Sequence, residues 1–260
     1  MSRRAGSRAW ILIGGLLAAC SVVPPSQPAV DILVEKEVSD LKIGLRSAQS
    51  SEPLRLYERM EQLGVGIVTI ALVNEGELRW VRALAAEGEA DADTPIAVGE
   101  LIDIPRGLLA LRADDAASDG DEELEKEIFG PLEMTRTRIA EAGLLSTAED
   151  LSKIVTDLQK AHAGKPARRL RQEQAQVLFG THGAVEPVRD LGFRVAGQGQ
   201  AIHFERADRT ETHVVRFVGF VYSGHGAVVI ADHPDASALT DEILAGLAEI
   251  YDWPAYRVES

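Results

Sequence analysis

The only cysteine of this 260-residue chain, Cys20, stands directly behind an apolar run, and this one position limits what the rest can fold into. With no second thiol, no internal disulfide and no zinc–thiolate cluster can staple a loop-rich scaffold. The body must be held by a hydrophobic core of its own. An apolar content of 45% is ordinary for a globular protein, and the stretch after Cys20 is long enough for one domain.

The residues ahead of Cys20 read as a targeting segment. Arg3, Arg4 and Arg8 form a basic start, and Trp10 to Ala19 (WILIGGLLAA) an apolar run. That run is far short of the roughly 20 residues a bilayer-spanning helix needs, so the pattern is that of a secretory signal. Leu17-Ala18-Ala19-Cys20 resembles a lipobox, the site where bacterial lipoprotein processing attaches a diacylglycerol to Cys and cuts before it. An ordinary secretory signal with an incidental Cys20, or an uncleaved anchor, is the alternative. The resemblance implies residues 1–19 as signal peptide, 20–30 as lipidated Cys and flexible tether, and 31–260 as the domain. Val22–Ala29 (VVPPSQPA) suits the tether, because its prolines favour extended chain. An acyl chain gains roughly 0.8 kcal/mol per buried CH₂, so a multiply acylated Cys20 is a firm anchor. Ser21, in place of Asp, resembles the proteobacterial signal for the outer membrane. The expected location is therefore the envelope, facing the periplasm if the host is Gram-negative.

Residues 1–19 carry three basic and no acidic side chains, which leaves 24 Lys and Arg against 41 Asp and Glu, a formal charge of −17. So acidic a body argues against nucleic-acid binding and against electrostatic docking on anionic lipid. The expected partner is the membrane, through the lipid.

Periodicity predicts an α+β domain. Residues 30–63 read as helical, with a fresh start near Pro53. Gly64–Val73 (GVGIVTIALV) reads as a buried strand, Asn74–Glu77 as a turn and Leu78–Ala83 as its return. Leu101–Leu111 reads as a helix, and Ala113–Glu127 as a solvated acidic loop leading into a short helix. Ser146 and Glu149 form a capping-box pattern ahead of an amphipathic helix. Strands are predicted at Leu191–Val195, Ala201–Phe204, His213–Phe220 and Ala227–Ala231, followed by a helix capped by Asp235 or Ser237. Strands from both ends of the chain would then form one antiparallel sheet flanked by helices.

Two segments carry a family resemblance. Ile128–Thr137 (IFGPLEMTRT) resembles the "IFxPLGMxxT" stretch of the serine beta-lactamase-related hydrolases, which include class C beta-lactamases, DD-peptidases and esterases. Glu141–Leu151 (EAGLLSTAEDL) resembles their "AGGLxSTAxDL" helix start. Gly64–Trp80 is similar to their first hairpin, and Ala227–Ala231 with Leu239–Tyr256 to their last strand and helix. The resemblance implies a beta-lactamase-like fold with a nucleophile in a Ser-x-x-Lys, a Tyr-x-Asn or Ser-x-Asn motif, and a Lys-Thr-Gly or His-x-Gly strand, and by analogy an envelope protein or a peptidoglycan-related partner.

The departures bear on activity. In the family, Ser-x-x-Lys opens a buried helix so that one turn brings the Lys amine onto the Ser hydroxyl. Here Asp93–Gly99 (DTPIAVG) matches the lead-in, but Glu100 stands where the serine should be and Asp103 where the lysine should be. The sole asparagine, Asn74, falls in a hairpin turn. Only 25 residues separate Asp103 from Phe129, so the helical subdomain that roofs the family's site is reduced. His203 reads as a relic of the third motif, with Glu205 in place of its glycine.

Other candidates are bland. Ser39-Asp40-Leu41-Lys42 has the Ser-x-x-Lys spacing but no lead-in, and reads as surface helix. Thr181-His182-Gly183 reads as a loop turn, and His162-Ala163-Gly164 as a helix C-terminus. His203, Glu205, Asp208 and His213 have no diagnostic metal spacing. Glu100 and Asp103 as an acid–base pair have no support beyond their type. Asp119-Gly120-Asp121 only hints at a calcium loop. The sequence thus predicts a non-catalytic binding or scaffold lipoprotein with no cofactor and no metal, its alternative being a divergent active serine hydrolase with a non-standard nucleophile.

Overall fold

A computed structural model describes residues 42–43, 54–111, 120–141, 143–180 and 192–257, with side chains from Leu56 onward. Cys20 and the tether lie outside them, as do Ser39 and Thr181-His182-Gly183. The strands are β1 (Lys42–Ile43), β2 (Leu54–Arg55), β3 (Ile67–Asn74), β4 (Glu77–Ala85), β5 (Ile96–Ala97), β6 (Arg138–Ala140), β7 (Gly143–Ser146), β8 (Arg194–Ala196), β9 (His203–Arg209), β10 (Val214–Phe220) and β11 (Gly226–Ala231). The helices are α1 (Leu56–Leu63), α2 (Asp103–Ala110), α3 (Asp121–Leu124), α4 (Ala148–His162), α5 (Gln172–Leu178) and α6 (Ser237–Ile250).

Six strands form one antiparallel sheet in the order β4-β3-β11-β10-β9-β8, so the N-terminal hairpin joins the C-terminal strands through β3 and β11. This is the sheet that the sequence predicts. Its central strand β11 (GAVVIA) is buried at every position because both faces are covered. Val228 and Ile230 join Ala71, Val73, Ile154 and Val155 on one side; Ala227, Val229 and Ala231 join Ile70, Leu72, Ile243 and Leu247 on the other. Period-2 alternation thus feeds two cores from one strand, each fully buried Val, Leu or Ile gaining about 1.5–3 kcal/mol. The hairpin between β3 and β4 turns at Glu75 and Gly76, both at positive φ (56° and 76°), a pairing that matches the strands' twist. A second small sheet, β5-β7-β6, flanks the first.

Three local expectations are corrected. Helix over 30–63 gives way to the β1–β2 pair, and among the described residues of that stretch helix occupies only Leu56–Leu63. The cap of α4 is Thr147, whose hydroxyl accepts the Asp150 N–H, while Ser146 ends β7 and bonds Thr137. Neither Asp235 nor Ser237 caps α6: Asp235 pairs with Arg209, and the N-cap is Ala236. Among the described residues no helix is long and apolar enough to cross a membrane.

Candidate functional site

The loop after β5 turns at Gly99 (φ +62°) into a short 3₁₀ turn, Gly99–Ile102, that runs directly into α2. Leu101 and Ile104 point into the core, which leaves Glu100 and Asp103 on the exposed side. Gly99 lies against β9: a Cβ there would sit 2.9 Å from an Asp208 carboxylate oxygen. A side chain at 99 would have to displace the Asp208 carboxylate.

Alternation along β9 decides what meets Glu100. Phe204 is fully buried in the core beneath α2 and α4, so Arg206 and Asp208 face that side as well. Arg206 reaches Glu100 at 3.3 Å in an ion pair whose carboxylate is 80% exposed, a weak interaction in water. His203 and Glu205 face the opposite side. His203 is buried there against Phe220 and Tyr256, with ring centroids at 5.0 and 5.6 Å, and its Nδ1 meets the Ala201 carbonyl at 2.9 Å. Glu205 binds Arg194, and burial pushes the neighbouring Tyr256 hydroxyl up from its usual pKa. The structure thus does not bring His203 to Glu100 and Asp103. Gly192 instead packs on the start of α2, where a Cβ would meet Ile104 N at 2.7 Å. Asp208 lies on the other face from His203 and Glu205, and His213 stands beyond the end of β9. Among the described residues no group of three or more His, Cys, Asp or Glu is assembled to hold a metal.

A cleft of about 450 Å³ opens along the edge of β9, lined by Gly99, Glu100, Ala207, Asp208, Arg209 and Arg216, with Ser237 at its far side. It exists because β8 pairs only with His203–Glu205, leaving Arg206–Arg209 uncovered on that edge. Thr210 N–H bonds the His213 carbonyl at 2.9 Å, so by antiparallel alternation Ala207 directs its N–H and C=O away from β10, toward the cleft. Arg209 pairs with Asp235 at 2.8 Å and Arg216 with Asp241 at 2.9 Å. Burial pushes the Asp241 carboxyl up from its usual pKa, with Arg216 opposing. The cleft therefore offers paired charges beside a strand edge. Ser237 is the one side-chain hydroxyl among the described residues lining it.

The remaining candidates have structural places. His162 ends α4 with Gly164 at φ +67°, the geometry of a helix C-terminus. Asn74 ends β3 beside the hairpin turn. Sequence reasoning missed Arg206 and assigned Ser237 to capping. Carrying the β-strand alternation on from Phe204 would have found Arg206.

No family model matches the chain, and no curated protein does. Solved structures do. The octameric penicillin-binding protein homologue from Pyrococcus abyssi matches with a TM-score of 0.59 at 10% identity, over 75% of each chain. A class C beta-lactamase matches with a TM-score of 0.59 at 10% identity, over 87% of this chain and 98% of its own. The D-alanine carboxypeptidase AmpC from Burkholderia cenocepacia matches with a TM-score of 0.54 at 11% identity, over 75% of this chain and 98% of its own. The chain has a serine beta-lactamase-like fold. At such identities the likeness speaks to fold alone, and what the site does must be argued from its own residues.

Proposed function

We propose that this chain is an envelope lipoprotein, anchored through a lipid on Cys20, whose beta-lactamase-like domain binds a ligand along the β9 edge without acyl transfer. The observation that carries this reading is the start of α2. It faces β9 as a nucleophile-bearing turn would, yet it presents Glu100, paired with Arg206, and Asp103. Acyl transfer of the Ser–Lys kind needs a hydroxyl nucleophile with a base in reach, and two carboxylates supply no hydroxyl. A cleft with an exposed strand edge suits an extended chain that pairs with Ala207 while its side groups meet Glu100, Asp208 and Arg209. An envelope protein segment or a peptidoglycan-derived peptide has that shape, and either would make the chain a binding or scaffolding subunit.

The purified domain (Ser21 onward) is expected to turn over neither nitrocefin nor p-nitrophenyl esters. Turnover abolished by one point substitution would sink the reading. Full-length protein expressed in bacteria is expected to incorporate labelled palmitate, and Cys20→Ala to incorporate none.

Ser237 in the cleft favours one second reading, a divergent hydrolase that uses this hydroxyl. Fluorophosphonate labelling that disappears in Ser237→Ala would establish it over the first. Cross-linking in intact envelopes, with the captured partner identified, separates a scaffolding role from a small-ligand one.

A further inference from the structure

A second cavity, of about 180 Å³, lies apart from the β9 cleft, under the 89–94 loop and against the start of α4. Ile67 and Ile230 form an apolar floor, Asp232 and His213 stand at one side, and Glu89 and Asp91 are on the rim. The floor belongs to the sheet face that α4 covers farther along; here the helix has only begun, and Ile67 stays 37% exposed. Asp232 is held in place. One of its oxygens accepts the Gly66 N–H at 2.8 Å, and the absence of a side chain on Gly66 leaves room for the other, which a Cβ would meet at 2.9 Å. Burial lowers the His213 pKa while Asp232 opposes the shift, so the imidazole is neutral near pH 7. Its Nδ1 is occupied by the Thr212 hydroxyl at 2.7 Å. No Lys or Arg lines the cavity among the described residues.

Carboxylates around an apolar floor, without a balancing cation, set the chemistry of what fits. Neutral ligands forgo the charge, and anions are repelled. An apolar cavity of about 150 Å³ accepts a benzene ring, so this one has room for a ring-sized body. We propose that this cavity is a binding site for a small protonated organic amine, its ammonium on Asp232 and its apolar body over Ile67 and Ile230. The proposal does not depend on the reading of the β9 cleft.

The test uses benzylamine, with benzyl alcohol as neutral isostere and benzoate as anion, titrated into the purified domain by calorimetry and by NMR of the His213 ring. Benzylamine is expected to bind saturably, with a Kd of about millimolar or tighter for so small a ligand, and to shift the His213 signals. Asp232→Asn keeps the shape and an acceptor for Gly66 but loses the charge; it is expected to weaken benzylamine at least about tenfold and leave benzyl alcohol unchanged. Ala90→Phe, placed on the covering loop rather than in the core, is expected to block both. Circular dichroism confirms that each variant is folded. Equal benzylamine affinity in wild type and Asp232→Asn, tighter binding of benzoate, or no saturation by about 10 mM benzylamine would each overturn the proposal.

Discussion

Replacing Asp150 by Ala removes a carboxylate with no exposure to solvent that ties the start of α4 to the Arg136–Thr137 segment. One oxygen accepts the Arg136 N–H at 2.8 Å and the Thr137 hydroxyl at 2.9 Å; the other meets the Lys153 ammonium at 2.7 Å. Truncation strands the Arg136 N–H and leaves the Thr137 and Ser146 hydroxyls one acceptor short, at about 1–3 kcal/mol each. Lys153 is 24% exposed and keeps the Glu133 carbonyl and Glu149, so it adds little. The expected total is about 3–5 kcal/mol, the range for breaking a buried charged contact and a large part of the 5–15 kcal/mol that holds a typical domain. Asp150→Asn keeps one acceptor oxygen and should cost about 1–2 kcal/mol. Lys153→Met leaves a carboxylate of no exposure with only its neutral donors and should cost about 1–3 kcal/mol. Urea denaturation reads the differences directly: with a slope of about 2 kcal/mol per molar, the midpoint of Asp150→Ala falls by about 2 M. A loss below about 1 kcal/mol in Asp150→Ala would refute the reasoning.

Gly99→Ala meets both a backbone penalty of about 1–2 kcal/mol at φ +62° and the Asp208 carboxylate; Gly64→Ala, at φ +67° with nothing within 4 Å, meets only the first and should cost measurably less in the same assay. Phe204→Ala should cost about 3–5 kcal/mol, since its ring packs on Phe179, Phe193 and Phe217 at 5.1, 5.4 and 5.8 Å. A Cβ on Gly219 would lie 2.3 Å from that ring, so Gly219→Ala should be destabilising alone and less so in the Phe204→Ala background, as a double-mutant cycle of urea midpoints would show. Burial lowers the pKa of His162, His213 and His225 below the ordinary value. The unfolded chain then binds the extra protons, so this contribution is complete above about pH 6.5 and is lost as pH falls from there through the folded values. Replacing all three with Gln should flatten the stability slope between about pH 6.5 and 5. Asp157, Asp241 and Glu242, raised by burial, act in the opposite sense, their contribution being complete below about pH 4 and lost as pH rises through the folded values.

The sheet was legible because its signals are local and redundant. β3 and β11 are continuous β-branched and aliphatic runs, and the turn at Glu75-Gly76 sits between the strands it joins. The amphipathic stripe of α4 likewise names its own buried face, Leu151, Ile154, Val155 and Leu158. What failed was decided by contacts that no window contains. Thr147 rather than Ser146 caps α4 because the Ser146 hydroxyl is taken by Thr137, nine residues away. Asp235 stands one residue ahead of the Ala236 N-cap, and its carboxylate meets Arg209 of β9 instead. The two-residue strands β1 and β2 are too short to carry a period at all.

The site shows the same division at higher stakes. That Glu100 and Asp103 stand at a three-residue spacing behind the lead-in Asp93–Gly99 was readable, because it is a matter of identity along the chain. Which strand residue faces them was not, because a shift of one residue along a strand exchanges its two faces. His203 was placed by likeness to a motif; Phe204, the only large apolar side chain on β9, instead fixes the phase, and even-numbered residues from there face α2. That phase gives the start of α2 a guanidinium and a carboxylate as its neighbours in place of an imidazole. Gly99, at φ +62°, leaves room for the Asp208 carboxylate against the turn, whatever occupies position 100. The shape of the cleft and the chemistry of its lining therefore rest on different residues. A fold can keep the first while position 100 changes the second, which is why likeness to known folds can report the frame here and only the side chains can report the function.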